Sequence, residues 1–365
     1  MGGPGATAIG EQLLRAGRGH VDCVALGEGE ETIVDLVDSL STRGAVGNVA
    51  GLLYLDGDSI KKTPRRKPIR DLDSIPFPDY GHYLAPPYRT TLKTACILMS
   101  RGCAFNCSFC GSRSLWGGAR YRSAENVLVE MRKLRADYGV EEVRIHDDTF
   151  GYNRSQAELV LRGLYDMGAP FRLYAHSRFD VMDSDLLALY NKAGGDSMYF
   201  GLESGSLRLR QHMGKGFTNQ QALDVSRATK RAGIRLGLFL MFGYPGETPQ
   251  DIRETYDLVR EIDPDDVYCS TTKIEPGTRL YEMALAQGVM SEDDWMNDQR
   301  EFFTFLTSEQ ERIVKGYELL FSRRFSKSPV RSDFERNNDH ADVRANSEDE
   351  TLLAREAART LGVKE

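Results

Sequence analysis

Three of the six cysteines in this 365-residue chain fall within a single short stretch, Cys103-Ala-Phe-Asn-Cys107-Ser-Phe-Cys110. The other three, Cys23, Cys96 and Cys269, are scattered. Thiolates are soft ligands that suit an iron–sulfur cluster or zinc. A cubane held by three cysteines leaves one iron without a protein ligand, open to the nitrogen and oxygen atoms of a bound molecule. A structural zinc site is the plainer alternative, but it needs a fourth ligand, and zinc knuckles favour two C-x2-C pairs. Here no second pair exists, and the nearest upstream candidate is His82. Three unrelated core cysteines fit less well still, because Arg101, Gly102, Asn106 and Ser108 are poor core residues. Without a second pair, Cys23 and Cys96 give no auxiliary cluster.

The elements that must position this cluster alternate. Strand-like runs occupy 94–100, 140–148, 170–178, 197–204, 234–243 and 266–274, and amphipathic segments lie between them. Ser123, Asp183, Thr218 and Thr248 stand at N-cap positions, and Gly139, Gly168 and Gly233 at C′ positions. Six strands with intervening helices predict parallel βα units, either an open wound sheet or a full or partial barrel. The cysteine segment directly follows the first strand.

Before this region, residues 1–60 predict a small α/β piece. It has a strand at 21–26, a helix carrying Ile33, Val34, Leu36, Val37 and Leu40, and a hairpin over 51–58 with an Asp-Gly turn. Residues 61–91 form a Pro-rich linker, and its basic KKTPRRKP run is short and without interleaved aromatics. Residues 92–306 are the core, and 307–365 a C-terminal helix and polar tail, expected to be disordered apart from a helix at 349–361.

Composition narrows the functional classes. With 47 Lys+Arg against 54 Asp+Glu, the net charge is −7, and a generic nucleic-acid coat is not expected. The longest apolar run, 236–242, is far too short to cross a bilayer, and the N-terminus has neither the basic nor the apolar part of a signal peptide. A cytoplasmic protein acting on a small molecule is expected; oligomeric state stays open.

C-x3-C-x2-C with Phe109 before the last cysteine, placed after strand one of a βα series, resembles the radical S-adenosylmethionine (SAM) enzymes. The resemblance implies a partial (β/α)6 TIM-like barrel in which Cys103, Cys107 and Cys110 hold a [4Fe-4S] cluster. In that family the open iron chelates SAM, and one electron, here expected from a flavodoxin or ferredoxin, releases a 5′-deoxyadenosyl radical. The segments GGPGAT, LGEGEETIVDLV, IPFPDY, HDDTF, GLES, GYPGET and EPGT are similar to the subgroup with an N-terminal cobalamin-binding domain. Only the last strand and helix of such a domain are visible, as a small α/β remnant, and no D-x-H-x-x-G supplies a lower-face histidine. The expectation is therefore an enzyme working without cobalamin.

By the resemblance, Phe109, Asp147, Asp148, Arg178, Glu203, Gly243 and Tyr244 are the cofactor-binding candidates. Glu203 would lie near the ribose hydroxyls or the amino group, Arg178 near the SAM carboxylate, and Gly243 and Tyr244 near the adenine. Period-two alternation leaves Arg144, His146, Tyr174, His176 and Tyr199 facing inward, where a purely structural barrel would carry branched aliphatics. His146, Tyr174 and His176 are the catalytic candidates, with Cys269 as a hydrogen-atom donor or, alternatively, a small buried hydrophobe. These polar groups suggest hydrogen abstraction from a sugar, aminoglycoside or nucleoside-like molecule, ending in dehydration, decarboxylation or epimerisation. The alternatives are a cobalamin-dependent radical methyltransferase and a non-catalytic iron–sulfur or zinc protein.

Overall fold

The computed structural model describes residues 1–42, 44–83, 93–297, 302–327 and 348–363. Residue 92, much of the expected linker (84–91), most of the polar tail (328–347) and the side chain of His82 lie outside the described set. The chain divides into two compact units. Their boundaries cut across the expected runs: unit 1 is 1–78, 100–122 and 273–303, and unit 2 is 79–99, 123–272 and 304–365.

Unit 1 has a three-stranded antiparallel sheet of β1 (Cys23–Ala25), β2 (Leu52–Asp56) and β3 (Ser59–Lys62). A hairpin forms, with Gly57-Asp58 closing β2 on β3 and Asp56 opposite Ser59, but its second strand runs to Lys62, beyond the expected 51–58 and into the expected linker. Ala6, Leu14, Val24 and Leu53 make a small core. The expected helix forms as Glu30–Ser41, but most of its apolar residues do not bury: Leu36 is half-buried, while Ile33, Val34, Val37 and Leu40 are all more than half exposed.

In unit 2, β4 (Thr94–Ile97) opens a six-stranded parallel sheet. A two-stranded ribbon in unit 1, β5 (Ser100–Arg101) and β6 (Arg120–Tyr121), interrupts the count. The sheet continues with β7 (Glu142–Ile145), β8 (Arg172–Ser177), β9 (Gly195–Glu203), β10 (Arg235–Phe242) and β11 (Asp266–Thr271). The spatial order β4-β7-β8-β9-β10-β11 follows the chain and stays open, the architecture of a partial TIM-like barrel.

The four predicted N-caps all form: Ser123, Asp183, Thr218 and Thr248 each accept a backbone N–H of their helix. The helix-facing sides of the strands are apolar and fully buried, with Val143, Leu173, Phe200 and Leu238 at 0% exposure. The helix Ser308–Phe325 belongs to this unit rather than to a separate tail. Its Phe321 packs edge-on to Phe242 and Tyr256, 5.0 and 5.7 Å between centroids. The last helix, Glu348–Leu361, buries Ala354, Ala357, Ala358 and Leu361.

Candidate active site

The inner face of the unit 2 sheet is built in layers set by strand register. Cys96, Arg144, Tyr174, Ser197 and Arg235 share the lowest layer. His176, Tyr199, Gly237 and Asp266 share the next, and Gly201, Phe239 and Tyr268 the one nearest the strand C-termini. His146 follows β7, its N–H donating to the Ile97 carbonyl, and its ring lies 5.9 Å from that of His176. The inward row read from alternation is thus brought together. Cys269 is not part of it: it lies on the alternate face to Tyr268, packed against the apolar core, as a small hydrophobe would be.

Charge closes the lower layer. Arg144 and Arg172 both pair with the buried carboxylate of Glu142, at 3.2 and 3.3 Å. Arg144 also stacks on Tyr174, and Arg235 pairs with Asp266 at 2.7 Å. Burial, reinforced by Glu142 and Asp196, pushes the Tyr174 phenol up to about 12. For His176, burial and then the nearby His146 and Arg144 push the imidazole down to about 4, so it is neutral at pH 7. Burial and Arg144 move His146 the same way.

At the C-terminal strand ends the backbone itself is specialised. Glu203, ending β9, has φ 61°, the left-handed region that a non-glycine residue occupies only when its surroundings hold it there. Its carboxylate is buried and pairs at 2.7 Å with the ammonium of Lys215, which also donates to the Gly201 carbonyl. A Cβ at Gly201 would stand 2.5 Å from both charged groups, so the pair forms only beside a glycine. The turn after Glu203 is locked by fully buried Arg210, donating to the Ser204 carbonyl, and by Thr255, which accepts the Gly205 N–H. Burial draws Arg210 down to about 10, Glu254 opposing.

The neighbouring loop after β10 is held by Glu247, which accepts the Gly243 N–H, while the Tyr244 hydroxyl donates to the His212 carbonyl. Burial pushes Glu247 up to about 8, the Gly243 hydrogen bond opposing and Asp251 adding. Asp147 is buried and accepts the Met99 N–H at 2.7 Å, tying the end of β7 to that of β4. Asp148 is exposed. Arg178 is buried, its guanidinium forked onto Asp180 at 2.9 and 2.8 Å. Asp147 and Arg178, read as cofactor contacts, are therefore each engaged with protein groups.

Within unit 1, the cysteine segment runs irregularly between β5 and the helix Ser112–Trp116. Cys103, Cys107 and Phe109 are half-buried and Cys110 is exposed. The Ser108 carbonyl accepts the Leu280 N–H, and the Asn106 carbonyl accepts Arg279. At the segment's flanks, Arg101 and Arg120 converge on the buried Glu28 at 2.8 and 2.9 Å. Burial works against Glu28's charge, but the hydrogen bonds from Arg120 and Arg101 outweigh it and hold the carboxyl below its ordinary range. Among the described residues no trio of His, Cys, Asp or Glu is preassembled as a metal cage. The donor set nonetheless fits an iron–sulfur cluster in chemistry: three soft thiolate donors on one short, anchored loop.

Sequence reasoning missed Lys215, Arg210, Glu247, Phe239 and Tyr268. Phe239 and Tyr268 carried a usable signal, since alternation along β10 and β11 places them inward, and Glu247 lay within the GYPGET segment.

A chain-ordered parallel half-barrel, with functional loops at the strand C-termini, defines the class of α/β enzymes that build sites at that end. Residues 97–259 match the radical SAM superfamily. The chain carries a radical SAM domain, with homology to the methyltransferase members. It is 33% identical over 299 residues, 81% of this chain, to an uncharacterized methyltransferase of Pyrococcus horikoshii, covering 64% of that protein. It is 30% identical over 298 residues to the anaerobic magnesium-protoporphyrin IX monomethyl ester cyclase of Cereibacter sphaeroides, spanning 77% of this chain and 47% of that one. The chain thus spans roughly half to two thirds of these relatives' lengths. Among solved structures, the fold matches the cobalamin-dependent SAM radical enzyme OxsB with aqua-cobalamin bound, at TM-score 0.67 and 16% identity, covering 99% of this chain and 58% of that one. The radical SAM methyltransferase TsrM from Kitasatospora setae gives TM-score 0.66 at 20% identity, over 78% of this chain and 57% of that one. The first of these relatives is named a methyltransferase, and none of them is named for the sugar-type dehydration or epimerisation that the inward polar row suggested. Among the described residues no helix is long and apolar enough to cross a membrane.

Proposed function

We propose that this chain is the catalytic core of a radical SAM enzyme that transfers a methyl-derived group to a small molecule. The observation that carries this reading is the 33% identity, over four fifths of the chain, to a protein named as an uncharacterized methyltransferase. When bound, the [4Fe-4S] cluster on Cys103, Cys107 and Cys110 supplies the electron that opens the SAM sulfonium. This chain's own residues bind and orient. Glu203, fixed by Lys215, offers a carboxylate to the SAM hydroxyls or amino group. The loop at Gly243 and Tyr244, fixed by Glu247, offers backbone to the adenine. His146, His176 and Tyr174 line the substrate face.

The described residues of unit 1 do not fit cobalamin. Ligand crevices of open α/β sheets form outside the carboxyl ends of parallel strands, whereas β1–β3 are antiparallel, and His20, the one histidine of the unit, is exposed in a turn. The second reading, hydrogen abstraction without methyl transfer, is favoured by the imidazole and phenol groups of the inner face.

The test is anaerobic incubation of reconstituted protein, reductant and trideuteriomethyl-SAM with candidate small molecules. Deuterium in a product supports methyl transfer; 5′-deoxyadenosine with no label in any product supports the second reading. Corrin absorbance on purification would show that the protein does hold cobalamin.

A further inference from the structure

Two of the polar groups that suggested a hydroxylated substrate are already engaged inside unit 2. Arg144 is occupied by Glu142, and the Tyr199 hydroxyl donates to Asp266 at 3.3 Å. Asp266 is held in turn by Arg235. A sugar needs uncommitted donors and acceptors, because a buried hydroxyl left unpaired costs about 1–3 kcal/mol. What the inner face leaves half-exposed above that charged floor is ring surface.

The rings are close and ordered. Phe239 stands 5.2 Å from His176 at 88°, 5.5 Å from Tyr199 and 5.8 Å from Tyr268 at 75°. His176 meets Tyr199 at 81°. Contacts of this kind fix each ring's orientation, and His176, Tyr199, Phe239 and Tyr268 are each half-buried. Gly237 makes the arrangement possible, since a Cβ there would lie 2.2 Å from the Tyr199 ring. His176, neutral at pH 7, brings no charge to disfavour an apolar partner. An interior-facing wall of a purely structural sheet would carry branched aliphatics instead.

We infer that the face formed by His146, His176, Tyr199, Phe239 and Tyr268 binds a planar, unsaturated ring of the substrate, aromatic or heteroaromatic, by stacking and edge contacts. The inference rests on the proposal that this face is the substrate site of a group-transfer enzyme. It names the class of acceptor: a conjugated ring system rather than a polyhydroxylated one.

The test reads binding without turnover. Indole, quinoline and methyl α-D-glucopyranoside are titrated against the reconstituted full-length protein by saturation-transfer NMR, for the parent, Phe239→Leu and Tyr268→Leu. Leu keeps apolar bulk and removes the ring, and equal melting temperatures establish that each variant folds. Saturable binding of the two aromatic probes, weakened about three- to tenfold in either variant, and none of the glucoside, is expected. Absence of saturable aromatic binding, aromatic binding indifferent to both variants, or preferential binding of the glucoside overturns the inference. Aromatic binding with no deuterium transfer would leave it standing and count against methyl transfer alone.

Discussion

Replacing Lys215 by Met leaves the Glu203 carboxylate buried beside nothing that neutralises it. Both side chains are nearly inaccessible, at 4% and 9% exposure, and their 2.7 Å contact is charge-assisted. Removing one member of a buried pair costs about 3–5 kcal/mol, most of it the uncompensated charge that remains. Part of that loss is recoverable. In Lys215→Met/Glu203→Gln the charge is gone, leaving the cost of unmatched hydrogen bonds, about 1–2 kcal/mol, and the strain of a non-glycine φ at position 203. Urea denaturation of the parent, both single variants and the double variant closes the cycle. Lys215→Met is expected to lose at least about 3 kcal/mol, and the double variant to recover about 2 kcal/mol of it. SAM affinity, measured by equilibrium dialysis on the reconstituted proteins, should fall in Lys215→Met and be partly restored in Lys215→Arg. If the two single costs simply add, or if Lys215→Met loses less than about 1 kcal/mol, the pair is not the device that fixes Glu203.

Three further outcomes follow from the same geometry. The folded His176 titrates at about 4 against 6.5 when unfolded, so from pH 4 to 6.5 only the unfolded form binds this proton. Stability therefore rises with pH through that window, by about 3 kcal/mol at most, and His176→Phe should flatten the slope in pH-dependent urea unfolding. Glu247 has the opposite sign: held protonated up to about 8 when folded, it contributes stability that is present below 4.5 and lost as pH rises toward 8. Glu247→Gln should be more stable than the parent at pH 8 and equal to it at pH 4, by thermal melts. Alanine at Cys103, Cys107 or Cys110 should abolish the iron content measured after anaerobic reconstitution, while Cys269→Ser should retain it; iron retained in Cys107→Ala would refute the ligand assignment.

Local grammar made the fold legible. Period-two runs, side-chain caps at Ser123, Asp183, Thr218 and Thr248, and the Asp-Gly turn each act over a few residues, so their outcome follows from neighbours in the chain. The inward row of Arg144, His146, Tyr174, His176 and Tyr199 was legible for the same reason. The unit boundaries were not, because they depend on Glu28 reaching Arg101 and Arg120 far along the chain. Lys215 lay equally hidden. Nothing in its surroundings distinguishes it from a solvated lysine until β9 and the following helix set it against Glu203. Asp147 and Arg178 show the converse limit: their types suit a cofactor, but the backbone N–H of Met99 and the carboxylate of Asp180 engage them first. The pairing of the inner-face Tyr199 with Asp266 was hidden because it spans strands far apart in the chain.

The central claim is that Cys103, Cys107 and Cys110 hold a cluster that meets SAM in this chain. It is tested most directly by electron paramagnetic resonance of the dithionite-reduced, anaerobically reconstituted protein, recorded with and without SAM. The expected result is about four irons per chain and a reduced [4Fe-4S] signal that SAM shifts, with 5′-deoxyadenosine or S-adenosylhomocysteine accumulating over time. A protein that binds zinc instead, or a cluster signal indifferent to SAM with no SAM consumed, would contradict it.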